Sequence, residues 1–128
     1  MSQIASQVHN KFKIFAGELD ANNQLGALAE EVAAFAREQK IAAKSIGVEY
    51  LESAKRLIIT LGYRDDEESY PIKLHGVSLG KINVTSNDFS TLEAAMAAAS
   101  ARLNNIICHE LYVTDDNDFL MVFMTHEA

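Results

Sequence analysis

The chain has 128 residues, 48% of them hydrophobic, enough for one domain that buries roughly two-thirds of the surface its unfolded form exposes. Its net charge of −7 is uneven: residues 1–64 carry eight Lys or Arg against seven Asp or Glu, and residues 65–128 carry three against eleven, which argues against a nucleic-acid partner. With no apolar run near the ~20 residues of a membrane span, no secretory signal in the first 20 residues and a lone Cys108 that forms no internal disulfide, the expected place is the cytoplasm, away from membranes.

Ile4, Val8, Phe12, Phe15 and Leu19 fall in one narrow sector at helical spacing, predicting a first amphipathic helix. Asp20-Ala21-Asn22-Asn23 breaks it, and Asn22 or Asn23 can cap a second helix. In that helix Leu25, Leu28, Ala29, Val32, Phe35 and Ala36 form the buried stripe, while Glu30, Arg37 and Glu38 face water. The expectation for residues 1–43 is therefore a helical hairpin.

Near Lys44 the period changes to two. Ile46, Val48 and Tyr50 alternate with Gly47 and Glu49, Ser53-Ala54-Lys55 turns, and Leu57, Ile59, Leu61 and Tyr63 share one face of a second strand. After the acidic turn Asp65–Ser69, Pro71 opens a third strand through Ile72, Leu74 and Val77, in which Gly76 and Gly80 suggest a bulge. Ser90-Thr91-Leu92-Glu93 reads as a capping box, starting a helix over about 91–105 with a core stripe of Leu92, Met96, Ala99 and Leu103. Two strands follow, Ile106 to Val113 and Phe119 to Thr125, joined by Asp115-Asp116-Asn117-Asp118. A crossover helix after the third strand predicts a parallel fourth. The expected architecture is α+β: residues 45–126 form one mixed, mostly antiparallel five-stranded sheet with helices mainly on one face, and no internal repeat is visible.

Neither acidic loop has the ligand spacing of a calcium or magnesium site, and no CxxC or His spacing supports zinc, so no metal and no cofactor is expected. Cys108 and His109 are adjacent but diverge on a strand. If Val48, Ile59, Leu74, Leu111, Met121 and Phe123 point at the helices, the opposite face carries Glu49, Thr60, Lys73, His75, Cys108, Glu110 and Tyr112. On that reading Glu49, Thr60, Lys73, His75 and Tyr112 are candidate binding residues, and His75 with Cys108 or Glu110 is the one candidate catalytic pairing. Opposite the core stripe of the last helix lie Ala94, Ala97, Ala98 and Ala101, an uncharged face that allows close helix approach and marks a candidate homodimer interface. Leu120, Val122 and Met124 make the last strand apolar on its second face as well, as expected of a strand that is central or covered on both sides.

The order helix, three strands, helix, two strands, at this size and acidity, resembles the small dimeric chaperones of bacterial type III secretion. The resemblance lies in element order alone and assigns no residue. The expected function is a non-catalytic, chaperone- or adaptor-like domain that binds a protein or peptide as a homodimer. The alternative is an enzyme or small-molecule-binding protein using the polar face around His75, Cys108 and Glu110.

Overall fold

In the computed structural model, which describes residues 8–19, 25–84, 87–114 and 118–127, the chain runs β1 (Lys11–Gly17), α1 (Ala27–Gln39), β2 (Ala42–Leu51), β3 (Arg56–Arg64), β4 (Ile72–Lys81), α2 (Ser90–Ser100), β5 (Ile106–Val113) and β6 (Asp118–His126). β3 pairs antiparallel with β1 and β2, and β6 pairs antiparallel with β4 and β5. The described residues thus form two three-stranded antiparallel sheets, ordered β1-β3-β2 and β4-β6-β5, and not a helical hairpin followed by one five-stranded sheet.

The first correction concerns residues 11–17, which are a strand. Lys11-Phe12-Lys13-Ile14 also alternates with period two, and pairing with β3 along its length, from Lys11 opposite Tyr63 to Gly17 opposite Leu57, satisfies a backbone that a helix would have satisfied locally. Ile4 and Asp20 to Asn23, on which the hairpin expectation also rested, lie outside the described residues. The second correction is the partition of the sheet. β5 does run in the direction of β4, because both are antiparallel to β6, but β6 lies between them and β3 turns to β1 instead of β4. Among the described residues the element order therefore opens with a strand, and the likeness to the secretion chaperones in element order is lost.

Both halves follow one plan: strand, helix, strand, then a last strand that inserts between the first two. Residues 11–64 and 72–126 are thus two βαββ units of the same topology, a repeat that their sequences do not display.

The register assigns every strand residue to a face. In the first sheet Phe15, Ile46, Val48, Leu57, Ile59, Leu61 and Tyr63 point to the α1 side. Phe35 of α1 meets Phe15 and Tyr63 edge to face, with ring centroids 5.6 and 5.5 Å apart. In the second sheet Val77, Met121 and Phe123 point to α2 and pack with Met96, Ala99 and Leu103. The other face of that sheet, with Ile72, Leu74, Leu120, Val122 and Met124, joins Leu28, Val32 and Ala36 of α1 and Leu57, Ile59 and Leu61 of β3 in one core. The sheets meet along β2 and β5, and α1 lies against β1 and β4. The layers run first sheet, α1, second sheet, α2, so β6 is both central and covered on two sides, as its doubly apolar sequence predicts.

Local chemistry explains the element ends. Lys40 closes α1 in the left-handed conformation at φ 54°. At the start of α2 the Ser90 hydroxyl and backbone N–H both donate to Asp88 Oδ1, at 2.8 and 3.1 Å, and Glu93 N–H donates to the Phe89 carbonyl. Asp88 therefore replaces the expected capping box, and α2 ends at Ser100. Pro71 stands just before β4, and the ladder shifts between Ser78 and Gly80, where Gly80 adopts φ 80°, a conformation that suits glycine. No helix among the described residues is long and apolar enough to cross a membrane.

Candidate functional site

The predicted polar row is distributed over three surfaces. Glu49 and Thr60, paired with Ile58 and Ile14, lie on the side of the first sheet away from α1. Lys73 and His75, paired with Thr125 and Phe123, lie on the α2 side of the second sheet. Cys108, Glu110 and Tyr112, paired with Met124, Val122 and Leu120, lie on the opposite, inner side of that sheet. His75 thus shares no face with Cys108 or Glu110, and the candidate acid–base or nucleophilic pairing of the alternative reading is not assembled.

Each of these residues has a definable environment. His75 Nε2 lies 3.0 Å from Thr125 Oγ1, and burial, aided by the charge of Lys73, lowers its pKa. Cys108 faces Ile46 of β2, and burial pushes its thiol up to about 11, the opposite of what a nucleophile needs. The adjacent His109 turns the other way, toward the Phe123 ring, as strand geometry predicts. Tyr112 faces Tyr50 across the β2–β5 junction, with ring centroids 6.4 Å apart.

The first acidic loop is tied up in ion pairs. Asp65 meets Lys11 at 2.8 Å, Arg64 meets Asp66 at 2.8 Å, and Glu67 meets Lys44 at 2.7 Å. Hydrogen bonds from Lys11 and Arg64 hold the Asp65 and Asp66 carboxyls below their ordinary range. Among the described residues no group of three or more His, Cys, Asp and Glu could hold a metal ion, and Asp115-Asp116-Asn117 lie outside them.

The feature that sequence reasoning missed is apolar. On the side of the first sheet away from α1, β1 presents Phe12 and Ile14, 62% and 64% exposed, beside Ala16, Ile58 and Thr60; Leu51, 46% exposed, lies at the end of β2. Gly47 keeps its middle flat, while at one end the His9 ring lies over Gly62, where a Cβ would run into it and into the Ser45 hydroxyl, and meets Phe12 edge to face at 4.8 Å. The alternation of Lys11, Phe12, Lys13 and Ile14 carried the signal, but read at helical period Phe12 becomes a core residue. On α2 and at its cap, Ala94, Ala97, Ala98 and Ala101 are all exposed, opposite buried Leu92 and Ala99.

Scanned against protein-family models, curated proteins and solved structures, the chain finds no match.

Proposed function

We propose that the protein is a non-catalytic binding module that docks a helix of a partner protein on the outer face of its first sheet. The observation that carries this reading is an asymmetry between the two units. In the second unit the sheet face turned away from its own helix is covered by α1. In the first unit the equivalent face carries exposed Phe12, Ile14 and Leu51. Large exposed apolar side chains grouped on one face are characteristic of interaction sites, and an apolar face that a helix covers elsewhere in the same molecule is suited to an amphipathic helix. Glu49 and Arg56 stand toward one end of this face, where a polar rim supplies orientation more than affinity.

The same reading makes the protein a homodimer through the alanine face of α2, whose exposed residues bear no charge and leave room for a second helix.

Photo-crosslinking from position 14 in cells, followed by mass spectrometry, identifies the partner, and a synthetic peptide of its crosslinked helix is then titrated. Phe12→Asp and Ile14→Asp are each expected to weaken that peptide by at least about thirtyfold. Unchanged affinity in both variants would overturn the reading. If the crosslinked segment is α2 of another copy, the face is a self-association site and the partner-binding reading is withdrawn. For the dimer, Ala98→Glu should shift the native chain to monomer, because charges would be buried without partners; a native chain that sediments as a monomer at high micromolar concentration sinks that part.

A further inference from the structure

We propose that the cleft between the turn after α2 and the adjoining face of the second sheet binds a small oxyanion, a phosphate or carboxylate group carried on an organic molecule. This site is separate from the docking face on the first sheet and does not rest on it.

The cleft has a volume of about 350 Å³ and is bordered by Lys73, His75 and Thr125 from the strands, Arg102, Asn104 and Asn105 from the turn, and Glu127 beyond β6. Residues 65–128 contain three Lys or Arg, namely Lys73, Lys81 and Arg102, so two of the three in the most acidic half of the chain converge here. Among the described residues neither Lys73 nor Arg102 forms an ion pair. The Arg102 fork, the Lys73 ammonium and the two asparagine amides supply hydrogen-bond donors of the kind that phosphates and carboxylates accept, while the Thr125 hydroxyl is engaged within the wall, 3.0 Å from His75 Nε2 and donating to the Lys73 carbonyl at 3.5 Å. His126 also borders the cleft, but its ring packs edge to face on Tyr70. The walls are pinned by backbone: His126 N–H donates to the Asn105 carbonyl at 3.1 Å and Glu127 N–H to the Pro71 carbonyl at 2.9 Å.

The first unit shows what this place looks like when it is closed. Lys11 stands opposite Tyr63 as Lys73 stands opposite Thr125, and Asp65 and Glu127 each lie two residues further on. In the first unit Lys11 and Asp65 pair at 2.8 Å, and Phe35 of α1 packs on Tyr63 beneath the Lys13 ammonium. In the second unit α2 offers alanine in the corresponding turn, at Ala98 and Ala99, and threonine replaces the tyrosine. The aromatic filling is gone, the lysine–acid pair is not formed, and an arginine and a histidine stand at the opening. The repeat thus separates a packing position from an open, donor-rich one.

The test is an amide NMR titration of the full chain with inorganic phosphate and, separately, acetate at constant ionic strength. Saturable shifts are expected at Thr125, Asn104 and Asn105, and whichever anion binds more tightly names the class of the ligand's acidic group. Arg102→Gln and Lys73→Gln should each weaken binding about tenfold, the loss of one charge-assisted contact. Glu127→Gln should tighten it by removing the carboxylate that repels the anion, and Lys11→Gln should leave it unchanged. All four positions are exposed, so the fold should survive, and the rest of the amide spectrum checks this. No saturable shift with either anion, or equal weakening by Lys11→Gln and Arg102→Gln, would overturn the proposal.

Discussion

Cys108 sits on the inner face of β5 where the two sheets meet, and its thiol is raised to about 11 by burial from an ordinary value of 9.0. Because the thiolate is the reactive form, alkylation by iodoacetamide at pH 8 should run about a hundredfold slower in the folded chain than for a free thiol. The sign for stability follows from the same shift. Below pH 9 the thiol is neutral in both states and costs nothing; between pH 9 and 11 the unfolded chain ionises while the folded chain does not, so stability falls, and above 11 the loss is complete. Its size is about 1–2 kcal/mol after allowing for the partial exposure of the side chain. Chemical denaturation at pH 8 and pH 10.5 checks this, and Cys108→Ala should remove that share of the pH dependence; an equal pH dependence in the variant would show that other groups carry it. The divergence of Cys108 and His109 was legible in the sequence because strand alternation alone decides it. The separation of His75 from Glu110 was not, because it depends on the register of β4 and β5 against β6, which no local pattern encodes.

Turn and helix signals fared better than pairing signals at the scale of elements. The stripe from Leu25 to Ala36 and the Ser53–Lys55 turn mark α1 and the β2–β3 hairpin because each is a local property: period in one case, and in the other the left-handed Lys55 at φ 53°. β1 was illegible for the complementary reason. Its Phe12 and Ile14 fit the strand period while Phe12 and Phe15 fit the helical one, and what selects the strand is the distant edge of β3. Gly76 of β4 tests how α1 is seated, since a Cβ there would meet Leu25 Cγ at 3.0 Å and the Leu25 backbone nitrogen at 3.3 Å. Leu25 leads directly into α1 and is itself 2% exposed, so it has little room to retreat. Gly76→Val should cost about 1–3 kcal/mol, the range for overpacking a filled core, with amide shift changes concentrated in residues 25–32 and in β4. A variant as stable as the native chain would show that the α1 entry is loosely held.

For the molecule as a whole, the decisive arrangement is that one core serves both units. Leu120, Val122 and Met124 of the second unit, each at most 3% exposed, lie in the same cluster as Leu28, Val32, Leu57, Ile59 and Leu61 of the first. The sequence carried half of this: a last strand apolar on both faces announced a covered sheet, but whether helix, sheet or another chain covered it is not written in the pattern of that strand. Topology repeats at the level of the unit, yet stability cannot, because separating the units would expose the inner face of the second sheet and the α1 side of the first together. At roughly 25 cal/mol per Å² of apolar surface, losing the burial of several large aliphatic side chains exceeds the 5–15 kcal/mol that domains have in reserve. Cutting the chain in the exposed loop at residues 65–69 should therefore give two fragments, neither of which melts cooperatively alone. Mixed at equal concentration they should recover a cooperative thermal transition and the dispersed amide spectrum of the intact chain, because the β2–β5 junction and the contacts of α1 with β4 are made between fragments and need no peptide bond. A cooperative transition from either fragment by itself would mean that a βαββ unit is a domain in its own right, and that the shared core is an interface between two domains.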